Sequence, residues 1–224
     1  MSWQRQYQAL VSEDLSGQND RLGFSFSTGS LIWLREWELV GELALDQKTD
    51  DDARRWCNRV LAEAGLRSTE DTDMPYTLAA PHYGALSNKG TLAALGDWYA
   101  ETYRALGALI MRFGTLAVTT PVVRCWPHHF DMAALFSLDA GDPEHARSVG
   151  IGFSPGDDSF PDPYFYCTPW PAPDSRPAVA LPWHWHTKGF TALVCPIGRL
   201  QSGDDFDERM ISTFRLAKNT LKAK

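Results

Sequence analysis

The feature that most limits the fold of this 224-residue chain is a series of short β-like segments in its second half. They are residues 122–126, 130–138, 148–153, 164–168 and 190–195. Pro, Gly and Asp separate them, and three of the four connections are shorter than a dozen residues. Such connections join antiparallel strands, because a parallel pair needs a crossover of a dozen or more residues. The series therefore predicts an antiparallel sheet.

Three amphipathic patterns predict helices on either side of this series. In the first, Thr49 is a suitable N-cap, three aspartates follow it, and Gly65 ends the helix. The second helix begins after Asn88 and ends at Gly114. The third begins near Asp204 and carries lysines at its end, as the helix dipole favours.

The first 45 residues have weaker patterns. Residues 3–11 suit a short helix, residues 25–30 are rich in Ser, Thr and Gly and suit a loop, and residues 38–45 suit a strand. Together with the helices, these patterns predict one α+β domain over residues 1–224. Its mainly antiparallel sheet has five to seven strands flanked by about three helices.

Composition restricts the partners and the compartment. The net charge is −7, and no block of Lys or Arg offers the positive face that nucleic acid or an anionic membrane requires. The N-terminus lacks the basic and apolar regions of a secretory signal, and apolar runs end well before a membrane span of ~18 residues. We therefore expect a cytoplasmic protein with no nucleic-acid or membrane partner. The sequence is also compatible with the formation of a homo-oligomer. The four cysteines form no C-x-x-C pair and suit reduced, mostly buried thiols.

Two histidine patterns raise the hypothesis of a metal site. In an extended strand, His184 and His186 share one face. By the same rule His129 and Asp131 share a face, while His128 points away. Two imidazoles with a carboxylate or a third imidazole resemble an arrangement that holds zinc, iron or manganese with open positions. The alternative is an edge strand with polar tips.

The nine tryptophans and several tyrosines raise a second hypothesis, a pocket for a small molecule. Aromatic rings supply apolar walls, and their polar tips orient a ligand. The candidates are Trp126, His128, Tyr164, Tyr166, Trp170, Trp183 and Trp185. The alternative is an aromatic core.

The segment 168–177 supports a third hypothesis. It carries four prolines and predicts an extended surface loop, on which Trp170 is suited to docking another protein. Motifs for nucleophilic catalysis and for nucleotide phosphates are absent from the sequence, so no catalytic residue is assigned.

Three motifs in the second half carry a resemblance: W-P-H-H-F-D at 126–131, S-P-G-D at 154–157 and P-Y-F-Y at 163–166. With them, residues 122–171 resemble an uncharacterised bacterial domain family of unknown function, and residues 31–45 and 92–113 resemble it loosely. The resemblance implies no activity. The sequence therefore favours a small-molecule-binding protein, with a metal-dependent hydrolase or other metalloenzyme, or a protein-interaction module, as the alternatives.

Overall fold

The computed structural model describes residues 1–67, 80–142, 144–157, 160–200 and 206–221. Within them the chain forms eleven β-strands and three α-helices. It divides into two compact units, Met1–Ala100 and Glu101–Lys224. The predicted α+β class, with antiparallel strands and three helices, is confirmed. The described strands form two sheets, of five and six strands, where we expected one. The organisation as a single domain stays a prediction.

The first unit contains a five-stranded antiparallel meander in the order β1-β2-β3-β4-β5. Its strands are β1 (Ser2–Gln4), β2 (Ala9–Val11), β3 (Asp20–Ser25), β4 (Ser30–Arg35) and β5 (Glu38–Ala44). Each pair is joined by a short connection, which explains the sequential order.

Helix α1 (Asp50–Glu63) packs its apolar stripe on this sheet. Trp56 and Val60 form one buried cluster with Trp33 of β4. The helix begins where the sequence predicts, because Thr49 and Asp52 form a reciprocal capping box. The hydroxyl of Thr49 accepts a hydrogen bond from the backbone N–H of Asp52, and the Asp52 carboxylate accepts one from the backbone N–H of Thr49.

The helix expected over residues 3–11 is wrong. Strands β1 and β2 pair there through a short 3-10 turn, with Trp3 opposite Leu10. Ala9, Leu10 and Val11 are all buried, so the interior position of β2 decides the conformation over the local preference. Residues 25–30 include the turn between β3 and β4, as expected, and β5 matches the predicted strand.

Helix α2 (Lys89–Phe113) follows the predicted limits, and the boundary between the two units falls within it. In the first unit, Tyr99 of α2 stacks on Trp3 and contacts Phe26. Across the described part of the chain, no helix combines the length and apolar character that crossing a bilayer requires.

The second unit contains a six-stranded antiparallel sheet in the order β10-β11-β9-β8-β7-β6. Its strands are β6 (Arg124–Cys125), β7 (Met132–Ser137), β8 (Ser148–Ser154), β9 (Tyr164–Trp170), β10 (His184–His186) and β11 (Ala192–Pro196). Each of the five predicted segments overlaps one of these strands, and β8, β9 and β11 end one or two residues beyond the predicted limits.

Helix α3 (Phe206–Thr220) covers one face of this sheet. Phe214 packs against Phe136 of β7, with ring centroids 4.6 Å apart, and Phe206 packs against Phe165 of β9 at 4.7 Å. Residues that alternate with these side chains point to the opposite face. Phe136 is fully buried, whereas its neighbour Leu135 is 51% exposed, so the second face is accessible at β7.

Candidate functional site

An open cleft of about 620 Å3 lies in the second unit, where β7 and β8 meet their connecting loop. It is lined by Val118, Thr119, Leu135, Ser137, Asp139, Ala140, Gly141, Ala146, Arg147, Ser148 and Trp170. The sheet supplies three polar or aromatic positions in a row, because Ser137 pairs with Ser148 and Ser148 pairs with Trp170. These three residues therefore share the face that α3 leaves open.

Trp170 forms the aromatic wall of the cleft. It is the last residue of β9 and its side chain is 45% exposed. Its indole Nε1 donates a hydrogen bond to the carbonyl oxygen of Glu144, over 3.2 Å. The contact joins the end of β9 to the β7–β8 loop and holds the edge of the ring.

The β7–β8 loop is pinned by an ion pair between Asp139 and Arg147. Nε and Nη2 of Arg147 donate to the two carboxylate oxygens of Asp139, over 2.9 Å and 2.8 Å. The backbone N–H of Arg147 donates to the same carboxylate over 3.1 Å. Hydrogen bonding to Asp139 raises the pKa of Arg147, so the guanidinium stays charged. Both side chains are about one-fifth exposed, which makes this bidentate pair stronger than a surface ion pair.

Three hydroxyl groups also line the cleft, those of Thr119, Ser137 and Ser148. Within the described ranges, none of the three side chains has a protein hydrogen-bond partner. In the free protein these hydroxyls are open to water, and a ligand group can replace that water. Apolar walls with a few convergent polar groups are typical of small-molecule sites.

Of the residues predicted to bind a ligand, only Trp170 is among the described residues that line this cleft. Tyr164 and Tyr166 lie on the same sheet face, further along β9. Each donates a 2.5 Å hydrogen bond to an aspartate, Tyr164 to Asp157 and Tyr166 to Asp131. Burial raises the pKa of both phenols, and the neighbouring carboxylates raise it further.

These tyrosines connect the three motifs that carry the family resemblance. Asp131 ends the W-P-H-H-F-D turn, which is closed by a bond from the N–H of Phe130 to the carbonyl of Trp126. Asp157 ends the S-P-G-D turn and also accepts from the N–H of Phe160, over 2.9 Å. The tyrosines of P-Y-F-Y therefore fasten both turns to β9, which gives the motifs a structural role.

The tryptophans predicted for the pocket are dispersed. Trp183 is buried, and its indole Nε1 has no hydrogen-bond partner among the described residues. Trp185 lies opposite Leu193, on the face that α3 covers, and its Nε1 donates to the carbonyl of Pro177 over 2.9 Å. Trp126, the first residue of the W-P-H-H-F-D turn, is half-buried, and His128 in that turn is exposed.

The histidines of the metal hypothesis fall into two groups. His184 and His186 share one face of β10, as expected for an extended strand. His186 packs between Phe160 and Phe190, and its Nε2 lies 2.7 Å from the carbonyl oxygen of Lys188.

The other pair, His128 and His129, lies in the exposed turn with ring centroids 4.7 Å apart. The Asp131 carboxylate accepts the Tyr166 bond. In the described ranges, no group of three or more His, Cys, Asp or Glu side chains is placed to hold a metal ion. A bound metal stays a prediction.

The four cysteines are free thiols, and three of them are buried. Burial raises the pKa of Cys125 to about 12 and that of Cys167 further. A thiol with a raised pKa is a poor nucleophile at neutral pH.

Comparisons with models of known families, with curated proteins and with solved structures give no match. The resemblance to a bacterial domain family stays a prediction.

Sequence reasoning missed most of the cleft. Leu135, Ser137, Ser148 and the Asp139–Arg147 pair carry no motif and were not assigned a role. The local signal in the sequence is Asp139 and Arg147, which lie on either side of the connection between two predicted strands. Such a pair of opposite charges is too common to predict a site. Their grouping depends on the register of three strands.

Proposed function

We propose that this chain is a small-molecule-binding protein and that its ligand occupies the cleft beside Trp170. The observation that carries the proposal is a concave site of about 620 Å3 that combines an exposed tryptophan with three unpartnered hydroxyls of the described residues. Its volume lies within the range of roughly 300–1,000 Å3 that small-molecule sites occupy.

The apolar surface of the cleft supports binding. Val118, Leu135 and Trp170 are 51%, 51% and 45% exposed, although all three are large apolar side chains. Covering each Å2 of such surface contributes about 25 cal/mol. A ligand that covers all three side chains removes their apolar surface from water, and this burial favours the complex.

The rigidity of the cleft also supports binding. The Asp139–Arg147 pair holds both ends of the β7–β8 loop, and Trp170 is bonded to Glu144 within that loop. The N–H of Leu138 also donates to the carbonyl of Arg147 over 2.8 Å. A site that is already ordered loses less conformational entropy when a ligand binds.

Ligand-observed NMR with a chemically mixed fragment library, followed by protein-observed amide spectra with each hit, tests this proposal. We expect hits whose binding shifts the indole N–H signal of Trp170, and we expect Trp170→Ala to weaken them about tenfold or more. Trp37→Ala is the matched control, since Trp37 is 42% exposed in a turn of the first unit.

A second variant tests the location without removing the tryptophan. Ser148→Phe fills the floor of the cleft with a ring that a strand accommodates, so hits should be lost while the unfolding midpoint is kept. A folded protein that yields no cleft-directed hit, or hits that are unchanged in both variants, would show that this cleft is not a ligand site.

The two alternatives have less support. For docking another protein, Trp170 is exposed as expected, but its ring edge is bonded to Glu144 and it lines a concave site. For a metalloenzyme, His184 and His186 share a face, but the described residues offer no third ligand beside them.

A further inference from the structure

We propose that the ligand of this cleft is an uncharged, planar aromatic compound that carries a hydrogen-bonding substituent. This inference rests on the proposed function, because it specifies the chemistry of the molecule that the same cleft binds.

The charge of the ligand follows from the Asp139–Arg147 pair. These are the two charged residues among the described lining residues, and their opposite charges balance. Each carboxylate oxygen already receives a bond from the guanidinium. An anionic ligand would meet the Asp139 carboxylate, and a cationic ligand would meet the Arg147 guanidinium. A charged ligand would therefore lose its hydration in the cleft without gaining an opposite charge that is not already paired. This loss disfavours the binding of charged ligands.

The planar shape follows from Trp170 and the sheet. The indole is exposed at the end of β9, beside the small side chains of Ser148 and Ser137. Flat rings stack on an indole with more contact and better electrostatic complementarity than puckered rings of equal size. The serines leave room for such a ring over the strand ends.

The polar substituent follows from the three hydroxyls. Thr119, Ser137 and Ser148 can each donate one hydrogen bond and accept others. Two of them stand side by side on adjacent strands, because Ser137 pairs with Ser148. A carboxamide, or a ring N–H next to a carbonyl, presents a donor and an acceptor at once and matches this pair.

Four probes of similar size separate these requirements. Nicotinamide is planar and neutral, nicotinate is its anion analogue, 1-methylnicotinamide is its cation analogue, and cyclohexanecarboxamide is neutral but puckered. Dissociation constants come from NMR titration, followed at the Trp170 indole signal, which the Trp170→Leu spectrum assigns, and at the backbone amide signals of Ser137 and Ser148, which also report binding in that variant. We expect nicotinamide to bind about threefold to tenfold more tightly than cyclohexanecarboxamide, and about tenfold more tightly than either ion.

Two variants assign the preferences to residues. Trp170→Leu should remove the preference for the planar amide, so that the ratio of the two amide constants falls to about one. Ser137→Ala with Ser148→Ala should weaken both amides by a similar factor, about threefold to tenfold, and leave that ratio unchanged. Circular dichroism and the unfolding midpoint show whether each variant is folded.

The outcomes separate this inference from the function on which it rests. If the mixed library gives cleft-directed hits but either ion or the puckered amide binds best, the ligand class is wrong and the binding function stands. If Trp170→Leu keeps the full preference for the planar amide, the stacking argument is wrong. If no library member reaches the cleft, the proposed function itself fails.

Discussion

The phenol of Tyr166 donates a 2.5 Å hydrogen bond to Oδ2 of Asp131, and so fastens the turn before β7 to β9. Tyr164 does the same for the turn after β8, through Asp157. The two tyrosine rings lie 6.2 Å apart on one sheet face. The Tyr166–Asp131 bond joins residues 35 positions apart, and the Tyr164–Asp157 bond joins residues seven positions apart. Both bonds can be tested.

Tyr166→Phe removes the hydroxyl and leaves the Asp131 carboxylate without this donor. Hydrogen bonds to charged groups contribute about 1.5–3 kcal/mol, so we expect the free energy of unfolding to fall by that amount. Urea denaturation measures the change. Tyr103→Phe is the control, since Tyr103 is exposed, and its effect should stay within about 0.5 kcal/mol. Equal effects of the two substitutions would argue against a stabilising role for the Tyr166–Asp131 bond.

Alkaline pH should weaken the fold through the same two tyrosines. Burial and the neighbouring carboxylates raise the pKa of Tyr164 and Tyr166 above the ordinary value of 10.0. Below pH 10 both phenols are neutral in the folded and unfolded states, so their stabilising contribution is fully present. Above it, the unfolded chain releases these protons first, and the contribution is lost as the pH rises toward the folded pKa.

In this pH range the free energy of unfolding should fall by up to about 1.4 kcal/mol per pH unit for each tyrosine. Urea denaturation between pH 9 and 11 should show it in the wild type, and Tyr164→Phe/Tyr166→Phe should show a smaller slope. Because lysines titrate in the same range, the prediction concerns the difference in slope between the wild type and the double variant. Parallel curves would contradict the prediction.

Two glycines of β8 form a matched pair. A Cβ at position 152 would lie against the carbonyl oxygen of Met132 and 2.5 Å from the Cβ of Ala133, whereas at position 150 its nearest neighbour is Leu135 Cδ1 at 4.0 Å. We expect Gly152→Ala to lower the free energy of unfolding by about 1–3 kcal/mol. Gly150→Ala should be neutral or stabilising by up to about 1 kcal/mol, because alanine restricts the unfolded chain. Thermal and urea denaturation of the two variants measure the contrast, and similar losses would refute it.

The Asp139–Arg147 pair should control the β7–β8 loop. Arg147→Met removes two charge-assisted bonds from a carboxylate that is about four-fifths buried. We expect a loss of about 1–3 kcal/mol in unfolding free energy and faster hydrogen exchange at the amide of Leu138. Arg112→Met, which breaks the exposed pair with Glu208, should cost less than about 1 kcal/mol. Unchanged exchange at Leu138 would mean that the pair does not order the loop.

Metal analysis tests the histidine hypothesis. In the described part of the chain His184 and His186 have no third ligand close by, so a site formed by these two side chains alone should hold zinc, iron or manganese weakly and below one ion per chain. Elemental analysis of protein purified without a histidine tag, before and after incubation with each metal, measures this content. A near-stoichiometric metal that disappears in His184→Ala/His186→Ala would overturn the expectation and support the metalloenzyme alternative.

Local sequence is sufficient for the helices because their signals act over a few residues. The capping box of Thr49 and Asp52 lies within one helical turn, and α1 begins at the residue it predicts. The described part of α3 buries Met210, Phe214 and Ala217 on one stripe, as the i, i+3, i+4 spacing requires. The predicted start of α3, near Asp204, lies outside the described residues.

The sheets are only partly predictable. Segments of the second half were recognised as strands because turn residues separate them, and turn-length connections imply antiparallel neighbours. The local pattern of residues 3–11 is ambiguous and suits a short helix, yet in the structure this segment forms part of β1, a 3-10 turn and β2. Burial of Ala9 and Val11 within a sheet depends on partners that a local window does not contain.

The sequence by itself determined the fold class, the three helices and the presence of Trp170 beside a proline-rich segment. Only the tertiary structure decided which side chains meet. Strand register brings Ser137, Ser148 and Trp170 into one row, and the loop pairs Asp139 with Arg147. The tertiary structure also packs His186 between two phenylalanines, away from the residues that line the cleft. The physical reason is range: capping and amphipathic spacing act between neighbours, whereas a cleft is formed by contacts between residues that only the completed sheet brings together.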